Sequence, residues 1–284
     1  MRRRVDLAFT LVTACGACVA CAVLGGIVAA LLVRGLPAVS WRFLTEQIRL
    51  VGADGGIFYN LVGTLILLAT ALMVSAPVAM GLALVEGVYL AGAARWRRRV
   101  HLAIYLLNGV PSLLFGLFGF VVFVKYLDWG KSWLTGGLLL GMMMVPTVTV
   151  ALTERIRGLP RAYVEAAAGL GLSRSQIIWS VILPQSLTGW LTGTLLGLAR
   201  AAGETAPIMF TATIFAGATI PSGVKESPVL SLPYHIFVLS QDSFDPAVGA
   251  RVWGTAVVLL GVVGGLSLLA LPFRLRQHEE ARHD

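Results

Sequence analysis

The chain has 284 residues, of which 57% are hydrophobic and only 13% are charged, and its mean hydropathy is +0.83. A soluble domain of this length needs far more charge to cover its surface, so the composition excludes an ordinary soluble protein and predicts one embedded in a membrane. The net charge of +8 could suggest a nucleic-acid partner, but the basic residues are concentrated on one side of the predicted membrane spans, which indicates a topology signal and argues against nucleic acid.

Six windows are long and apolar enough to cross the hydrocarbon core of a bilayer, which takes about 20 largely apolar residues. Their apolar runs are continuous rather than alternating, so they predict helices and not the strands of a barrel. We therefore expect an all-α polytopic membrane protein with six transmembrane helices. In chain order the predicted spans are Leu7–Val33, Ile57–Val85, Val100–Val124, Ser132–Leu152, Ser186–Ala216 and Gly249–Phe273.

The positions of the basic residues give an orientation to these spans. One side carries 14 of the 22 Arg and Lys residues, the other side carries seven, and Arg200 lies within a span. Because Lys and Arg accumulate in cytoplasmic connections, both termini are predicted to be cytoplasmic. The basic residues on this side are Arg2, Arg3, Arg4, Arg95, Arg97, Arg98, Arg99, Arg155, Arg157, Arg161, Arg174, Arg274, Arg276 and Arg282.

The N-terminal segment allows two interpretations. Its MRRR start before an apolar run is typical of a signal peptide, and the four residues that end at Cys15 resemble a lipoprotein cleavage box. The uncharged run continues to Val33, however, and the charge pattern requires this span, so we favour an uncleaved first helix. Cys15, Cys18 and Cys21 lie in the middle of it without a fourth ligand nearby, so we expect small packing residues rather than a metal site.

The predicted organisation has three parts. Residues 1–56 form an N-terminal transmembrane helix and an external loop, residues 57–273 form the transmembrane core domain, and residues 274–284 form a cytoplasmic tail. A second external loop at 217–245 is either an amphipathic surface segment or part of a mouth. Proline is expected to interrupt four core helices, at Pro77, Pro111, Pro146 and Pro207.

The connection between the fourth and fifth spans is long, lies on the cytoplasmic side and is rich in helix-forming residues. A short helix is predicted at Tyr163–Ala168, followed by two glycines, the second of which is Gly171. Ser173 and Gln176 form a capping-box pair that predicts the start of a second helix. Two short helices joined by glycine make a compact projection, which would serve either as an interfacial element or as a docking surface for a partner.

This connection resembles the EAA loop of ABC importer permeases. Glu165-Ala166-Ala167 is followed by Gly171 at the family's spacing, and the segment that ends at Pro184 closes the pattern, with Val181 where the family has isoleucine. In that family the loop forms a coupling helix that sits in a cleft of the cytoplasmic ATPase. The resemblance therefore implies a type I ABC importer permease fold and a dimeric cytoplasmic ATPase as partner. It also implies ATPase-coupling roles for Glu165, Ala166, Ala167, Gly171 and Pro184.

The chain itself is predicted to lack a nucleotide site. Gly130-Lys131-Ser132 matches the end of a phosphate-binding P-loop, but that motif requires a glycine where this chain has Lys125. We expect no catalytic residue, no metal and no cofactor bound by this chain. ATP and Mg would be used by the partner ATPase, so the chain is predicted to be a transport subunit rather than an enzyme.

The fifth predicted span combines a glycine ridge with two charged residues. If the helix is continuous, 100° per residue places seven positions on one narrow stripe. An ion that faces lipid costs ~2.5–3.5 kcal/mol even on the lenient insertion scale, so this stripe must face other helices or a wet path. The positions are the three helix-packing glycines Gly189, Gly193 and Gly197, followed by Arg200, Glu204, Pro207 and Thr211.

Two interpretations of Arg200 and Glu204 remain open. One is a buried i,i+4 ion pair that holds two helices together at the glycine ridge. The other is an anion site, in which the planar guanidinium donates two parallel hydrogen bonds to an oxyanion and Glu204 keeps the grip weak enough for release. Asn60 and Asn108 lie near span ends and could line the path, but such residues more often cap or bond neighbouring helices, so they are not included among the site residues.

The segment ARAAGETAPIMFTA, residues 199–212, is similar to the corresponding stretch of the permease subunits of phosphate ABC importers, and its Gly-Glu-Thr-Ala-Pro form looks like the PstA type rather than the sister PstC type. Further similar segments extend the resemblance over most of residues 55–240. It implies an importer of inorganic phosphate in the bacterial inner membrane, with Arg200, Glu204 and Thr205 along the substrate path. The implied partners are a PstC-like sister permease in a heterodimer, a PstB-like ATPase dimer and an external PstS-like phosphate-binding protein.

Three alternatives stay open at this point. A permease for another oxyanion, such as sulfate or molybdate, would have much the same helices and loop. A secondary transporter or channel would run on an ion gradient and would not depend on an ATPase. A regulatory role in phosphate sensing would coexist with transport.

Overall fold

The computed structural model describes residues 2–49, 52, 54–215, 217, 220–242 and 245–283. These residues are almost entirely helical, with one short antiparallel pair of strands, β1 (Ile48–Arg49) and β2 (Asp54–Gly55). The α-helices are α1 (Arg2–Gly35), α2 (Trp41–Thr45), α3 (Phe58–Leu84), α4 (Ala94–Gly109), α5 (Ser112–Gly119), α6 (Trp133–Arg157), α7 (Arg161–Gly169), α8 (Arg174–Ile177), α9 (Leu183–Ala202), α10 (Ala206–Thr211), α11 (Leu232–Leu239) and α12 (Pro246–His283). Three π-helical segments, Val85–Tyr89, Phe120–Tyr126 and Ile178–Ile182, follow α3, α5 and α8.

Within the described ranges, four helices are long and apolar enough to cross a membrane: Phe9–Ala38, Phe58–Tyr89, Trp133–Arg157 and Val248–Phe273. A fifth span results if α4 and the bent segment Ser112–Tyr126 are counted together. The all-α polytopic class is therefore confirmed, but the six comparable spans expected from hydropathy become four or five. The region predicted as the fifth span does not qualify: α9 has 20 residues, but polar residues interrupt its apolar run.

The third predicted span, Val100–Val124, is not one straight helix. It is divided between α4 and the segment that begins at Ser112, and the two axes meet at 91°. The break falls at Val110, whose backbone is extended with ψ 127°. Proline disfavours the helical conformation in the residue before it, so Pro111 is the physical cause of the bend.

The fifth predicted span, Ser186–Ala216, is also broken. Helix α9 ends at Ala202, the chain passes through Gly203, and α10 begins again at Ala206; Ala216, the predicted end, lies outside the described residues. Pro207 explains this break, because a proline ring clashes with the carbonyl of the residue four positions earlier, here Gly203. Angular positions derived for a continuous helix are therefore wrong beyond Ala202.

Proline does not interrupt the other two helices. Pro77 and Pro146 lie inside the continuous helices α3 and α6, so the expected interruptions at these positions are wrong. In a packed bundle, neighbouring helices and local adjustments tolerate a proline within a membrane helix.

Helix α6 is the centre of the bundle, between α3 and α9. Small residues allow the close approach on both sides: a Cβ added at Gly141 would lie 2.9 Å from Val74 Cβ of α3, and one added at Gly193 would lie 2.8 Å from Ala151 Cβ of α6. Two apolar cores result. The first joins α3, α6, α9 and α10, and the second lies beneath the loop that follows α6.

The N-terminal helix lies at the periphery. The most apolar window of α1 has no buried residue, and the helix approaches α12 near its end, where the Arg34 guanidinium lies 5.1 Å from the Trp253 ring centroid. Cys15, Cys18 and Cys21 are exposed. The expectation that they are packing residues is therefore not met within this chain. At the other end, α12 continues to His283 through the predicted boundary at residue 274, and Asp284 lies outside the described residues.

Candidate substrate-path and coupling sites

The break between α9 and α10 positions the two charged residues of the fifth predicted span. Arg200 lies in the last turn of α9, where a cation interacts favourably with the helix dipole, and Glu204 lies in the non-helical link. Arg200 Nε is 3.8 Å from Glu204 Oε1, and the two side chains are 44% and 18% exposed. A pair this accessible contributes only ~0–1 kcal/mol to stability, which is little for a purely structural role.

A second broken helix supplies a further partner for this arginine. Arg200 Nη1 donates a hydrogen bond to Asn108 Oδ1 at 2.9 Å, and Asn108 is the penultimate residue of α4, just before the bend at Pro111. This contact agrees with the interpretation of Asn108 as a residue that bonds a neighbouring helix, but the sequence did not identify Arg200 as its partner. The one available signal was its position directly before a proline break.

The helices that follow the two breaks are packed against each other. A Cβ added at Gly116 of α5 would lie 2.7 Å from Ala206 O and 2.9 Å from Pro207 Cα of α10. The hydrogen bond between Asn108 and Arg200 joins the helices that precede the breaks, so the two breaks lie near each other. Non-helical backbone at membrane depth is tolerated only where it is buried in protein or lines a water-filled cavity.

The structure brings together part of the predicted substrate-path set. Arg200 and Glu204 form a pair, and Thr205 is partly buried at the start of α10. Pro207 and Thr211 are buried in α10, and because the helix is broken after Ala202 they do not continue the stripe of α9 that carries Arg200. Within the described part of the chain, Nη1 is the one guanidinium nitrogen of Arg200 that donates a hydrogen bond to protein, which leaves donors available for a ligand.

The three predicted packing glycines all face α6. Added Cβ atoms would lie 2.5 Å from Arg155 Cβ at Gly189 and 3.2 Å from Met144 Cε at Gly197, and Gly193 has the contact with Ala151 given above. The contacts extend along most of α9. Larger residues at Gly189 or Gly193 would force α9 and α6 apart.

The predicted coupling loop folds as two short helices. These are α7 and α8, and the capping box is present: Gln176 N donates to Ser173 Oγ at 3.4 Å, and Ser173 N donates to Gln176 Oε1 at 2.8 Å. Between them Gly171 has φ +79°, in the left-handed region that glycine adopts without steric cost. The prediction of two short helices joined by glycine, the second of which begins with a capping box, is confirmed.

The loop is held to the bundle by one side and exposed on the other. Ala167 is 5% exposed and packs in a core with Leu152 and Ile156 of α6. Glu165 and Ala166 face outward. Pro184 is exposed in the first turn of α9, where a proline needs no N–H partner.

The Gly-Lys-Ser sequence before α6 has a structural role. Gly130 has φ +65°, and Ser132 caps α6 by accepting a hydrogen bond from Thr135 N. Lys131 Nζ donates to Met209 O at 3.0 Å and to Thr213 O at 3.4 Å, and burial lowers the pKa of Lys131. The segment thus ties α6 to the end of α10.

Residues 83–276 match the family described as "Binding-protein-dependent transport system inner membrane component". The chain belongs to this family. It is therefore a multi-pass transport subunit and not an enzyme. This assignment confirms the resemblance to ABC importer permeases that the EAA loop indicated.

Several relatives of similar length are named as permeases. The chain is 31% identical over 238 residues to the phosphate transport system permease protein PstA 2 of Mycobacterium bovis, which covers 80% of this chain and 77% of the relative. It is 32% identical over 244 residues to the probable phosphate transport system permease protein PstA of Methanocaldococcus jannaschii, with 82% and 81% covered. The probable ABC transporter permease protein YqgI of Bacillus subtilis is 29% identical over 264 residues, with 88% of each chain covered.

Solved structures show the same fold. An inward-facing MetNI methionine ABC transporter matches with a TM-score of 0.53 at 11% identity, over 76% of this chain and 97% of that chain. An amino acid ABC transporter matches with a TM-score of 0.52 at 15% identity, over 76% of this chain and 92% of that chain. At this identity the likeness concerns the fold, which is that of type I importer permeases.

Proposed function

We propose that this chain is the transmembrane permease subunit of an ATP-driven importer of inorganic phosphate, and that Arg200 contacts the anion along its path. The geometry of Arg200 carries the proposal: a half-exposed guanidinium at the junction of two broken helices, held by one hydrogen bond to Asn108 and by a loose pair with Glu204. A planar guanidinium can donate two parallel hydrogen bonds to a phosphate-like oxyanion. The phosphate transport names of several relatives support the choice of cargo.

The arrangement around Arg200 suits transient binding. Release requires that the anion is not held too tightly, and Glu204 at 3.8 Å reduces the local positive potential. Asn108 orients the guanidinium through its amide oxygen and adds no charge. A cargo anion would therefore meet one moderated positive group in each permease subunit.

The proposed assembly has four kinds of component. This chain pairs with a PstC-like sister permease as a heterodimer, and an external PstS-like binding protein delivers phosphate to the outer loops. A PstB-like cytoplasmic ATPase dimer uses ATP and Mg and engages the loop that carries Glu165, Ala166, Ala167 and Gly171. Both termini are cytoplasmic, in the bacterial inner membrane.

ATP hydrolysis by the reconstituted complex tests the cargo assignment. Complexes in lipid vesicles are given phosphate, sulfate or molybdate, each with its own binding protein. We expect ATP hydrolysis to be stimulated by phosphate together with its binding protein, and not by sulfate or molybdate with theirs. Equal or larger stimulation by sulfate or molybdate would assign the chain to another oxyanion, and uptake that continues without the ATPase but collapses with the membrane potential would assign it to gradient-driven transport.

A further inference from the structure

Among the residues whose burial the structure describes, Glu86 is the most completely buried carboxylate; it lies in the π-helical segment Val85–Tyr89 that follows α3. Its side chain is 2% exposed, and its Oε1 accepts a hydrogen bond from Arg157 Nη2 at 2.7 Å and lies 2.7 Å from His101 Nδ1. A single carboxylate oxygen thus joins the π-helical segment after α3 to the end of α6, through Arg157, and to the middle of α4, through His101. A buried charge requires such partners, because an isolated one is costly to desolvate.

One side of this cluster is continuous with the coupling loop. Arg157 is the last residue of α6, four residues before α7 begins. Arg174 of α8 donates to Val88 O at 2.6 Å and lies 4.4 Å from the Tyr89 ring centroid, so it binds the same π-helical segment that carries Glu86. The loop is therefore attached to the Glu86 segment at both of its ends.

The other side of the cluster leads to the anion site. His101 and Asn108 are both on α4, seven residues apart. Seven residues make two turns less about 20°, a rise of ~10.5 Å, so both side chains leave the same face of the helix. At the far end of this interval, Asn108 accepts the hydrogen bond from Arg200.

We infer that Glu86 is a positioning residue that couples the ATPase-docking loop to Arg200, with α4 as the rigid connection. A displacement of the loop moves Arg157 and Arg174, these move the Glu86 segment, and His101 transfers the movement along α4 to Asn108. Hydrogen bonds to a charged group have a defined geometry, so those of Glu86 fix the relative positions of α4, α6 and the π-helical segment more firmly than apolar contacts alone. This inference rests on the proposed role as an ATP-driven permease but not on the identity of the cargo.

The test is the ratio of cargo taken up to ATP hydrolysed, measured on the complete complex in vesicles. Glu86→Gln keeps the shape of the side chain and removes its charge, and Arg157→Gln and His101→Gln change the two half-exposed partners, which are safer for folding. We expect each variant to assemble with the ATPase and to keep its basal hydrolysis, while the uptake per ATP falls about tenfold. Glu154→Gln, the same change at an exposed position of α6, is the control and should match the parent.

A double-variant comparison separates coupling from general loosening. If Glu86 and Arg157 act as one unit, Glu86→Gln with Arg157→Gln should be no worse than the more impaired single variant, whereas independent effects would multiply. Parental uptake per ATP in all three single variants would overturn the inference, and so would multiplying effects. If phosphate fails to stimulate ATP hydrolysis by the parent complex, the phosphate assignment is refuted instead. The failure of the inference and the failure of the proposed cargo are therefore distinguishable.

Discussion

At the scale of single residues, the charged side chains near the apolar part of the chain are few, and those described here either have a polar partner or are partly exposed. Arg200 combines a hydrogen bond to Asn108 with a loose ion pair, and Lys131 donates to two backbone carbonyls. Glu86 is the opposite case, a buried acid with two basic partners. These differences separate a group available to a ligand from groups that fix helices.

His235 provides a residue-scale prediction about pH. It lies in α11 and is 2% exposed, its ring stacks on Phe215 at 5.9 Å, and in the described part of the chain its Nδ1 has no hydrogen-bond partner. Burial, together with the smaller effect of the positive charge of Arg251, lowers the pKa of His235 to about 4. The unfolded chain therefore binds a proton between pH 6.5 and about 4 that the folded chain does not.

The sign of the effect follows from this difference. The contribution of His235 to stability is complete above pH 6.5 and falls by roughly 3 kcal/mol as the pH approaches 4. We expect thermal unfolding of the purified complex to move to lower temperature across this range. His235→Phe, which keeps a ring against Phe215 but binds no proton, should weaken the pH dependence; parallel curves for parent and variant would contradict the assignment.

Residue-scale features were predictable from the sequence where the signal was local. A capping box needs only Ser173 and Gln176 at the right spacing, and a charge in an apolar stretch directs attention to Arg200. The contact with Asn108 was not predictable, because it joins residues 92 positions apart across two proline breaks. Glu86 gave no signal either, since a single acid at a span end is equally consistent with an exposed position.

At the scale of elements, two proline breaks determine where the candidate site lies. The hydropathy windows extended across both breaks, because apolar residues continue on either side of Val110 and Gly203. Pro77 and Pro146 are also prolines, but they lie within continuous helices. The difference depends on packing against neighbouring helices, which a single sequence does not contain.

The coupling loop allows a prediction at this scale. Gly171 has φ +79°, yet an added Cβ would meet nothing within 4 Å, so a side chain there is opposed by backbone conformation and not by crowding. A residue other than glycine costs ~1–2 kcal/mol in this conformation, and a β-branched one is disfavoured most. We expect Gly171→Val to reorient α7 relative to α8 and to reduce co-purification of the ATPase, with normal membrane insertion.

Gly169 is the matched control for this prediction. It lies in the same loop, it is exposed, and an added Cβ there also meets nothing within 4 Å. Gly169 is not among the described glycines with positive φ, so Gly169→Val carries no such conformational penalty. Equal ATPase recovery with both valine variants would show that the conformation of Gly171 does not position the coupling loop.

At the scale of the whole molecule, the described bundle exposes both large apolar side chains and the charge of Arg200. Large apolar side chains are exposed along α1, among them Phe9 at 71% and Val12 at 70%, as expected for surfaces that face lipid. The exposed guanidinium of Arg200 must instead be shielded from lipid, because exposing an ion to the hydrocarbon core is energetically costly. We therefore expect the Arg200 face to be covered by the sister permease, with the phosphate path between the two subunits.

Phosphate uptake by vesicles that contain the complete complex tests this central claim most directly. Arg200→Ala removes charge-assisted hydrogen bonds worth ~1.5–3 kcal/mol, so we expect uptake to fall about tenfold or more with assembly intact. Arg200→Lys should also be poor, since a point charge lacks the guanidinium fork, whereas Arg95→Ala, which changes an exposed arginine in the first turn of α4, should match the parent. Uptake by Arg200→Ala at the parental rate would contradict the account.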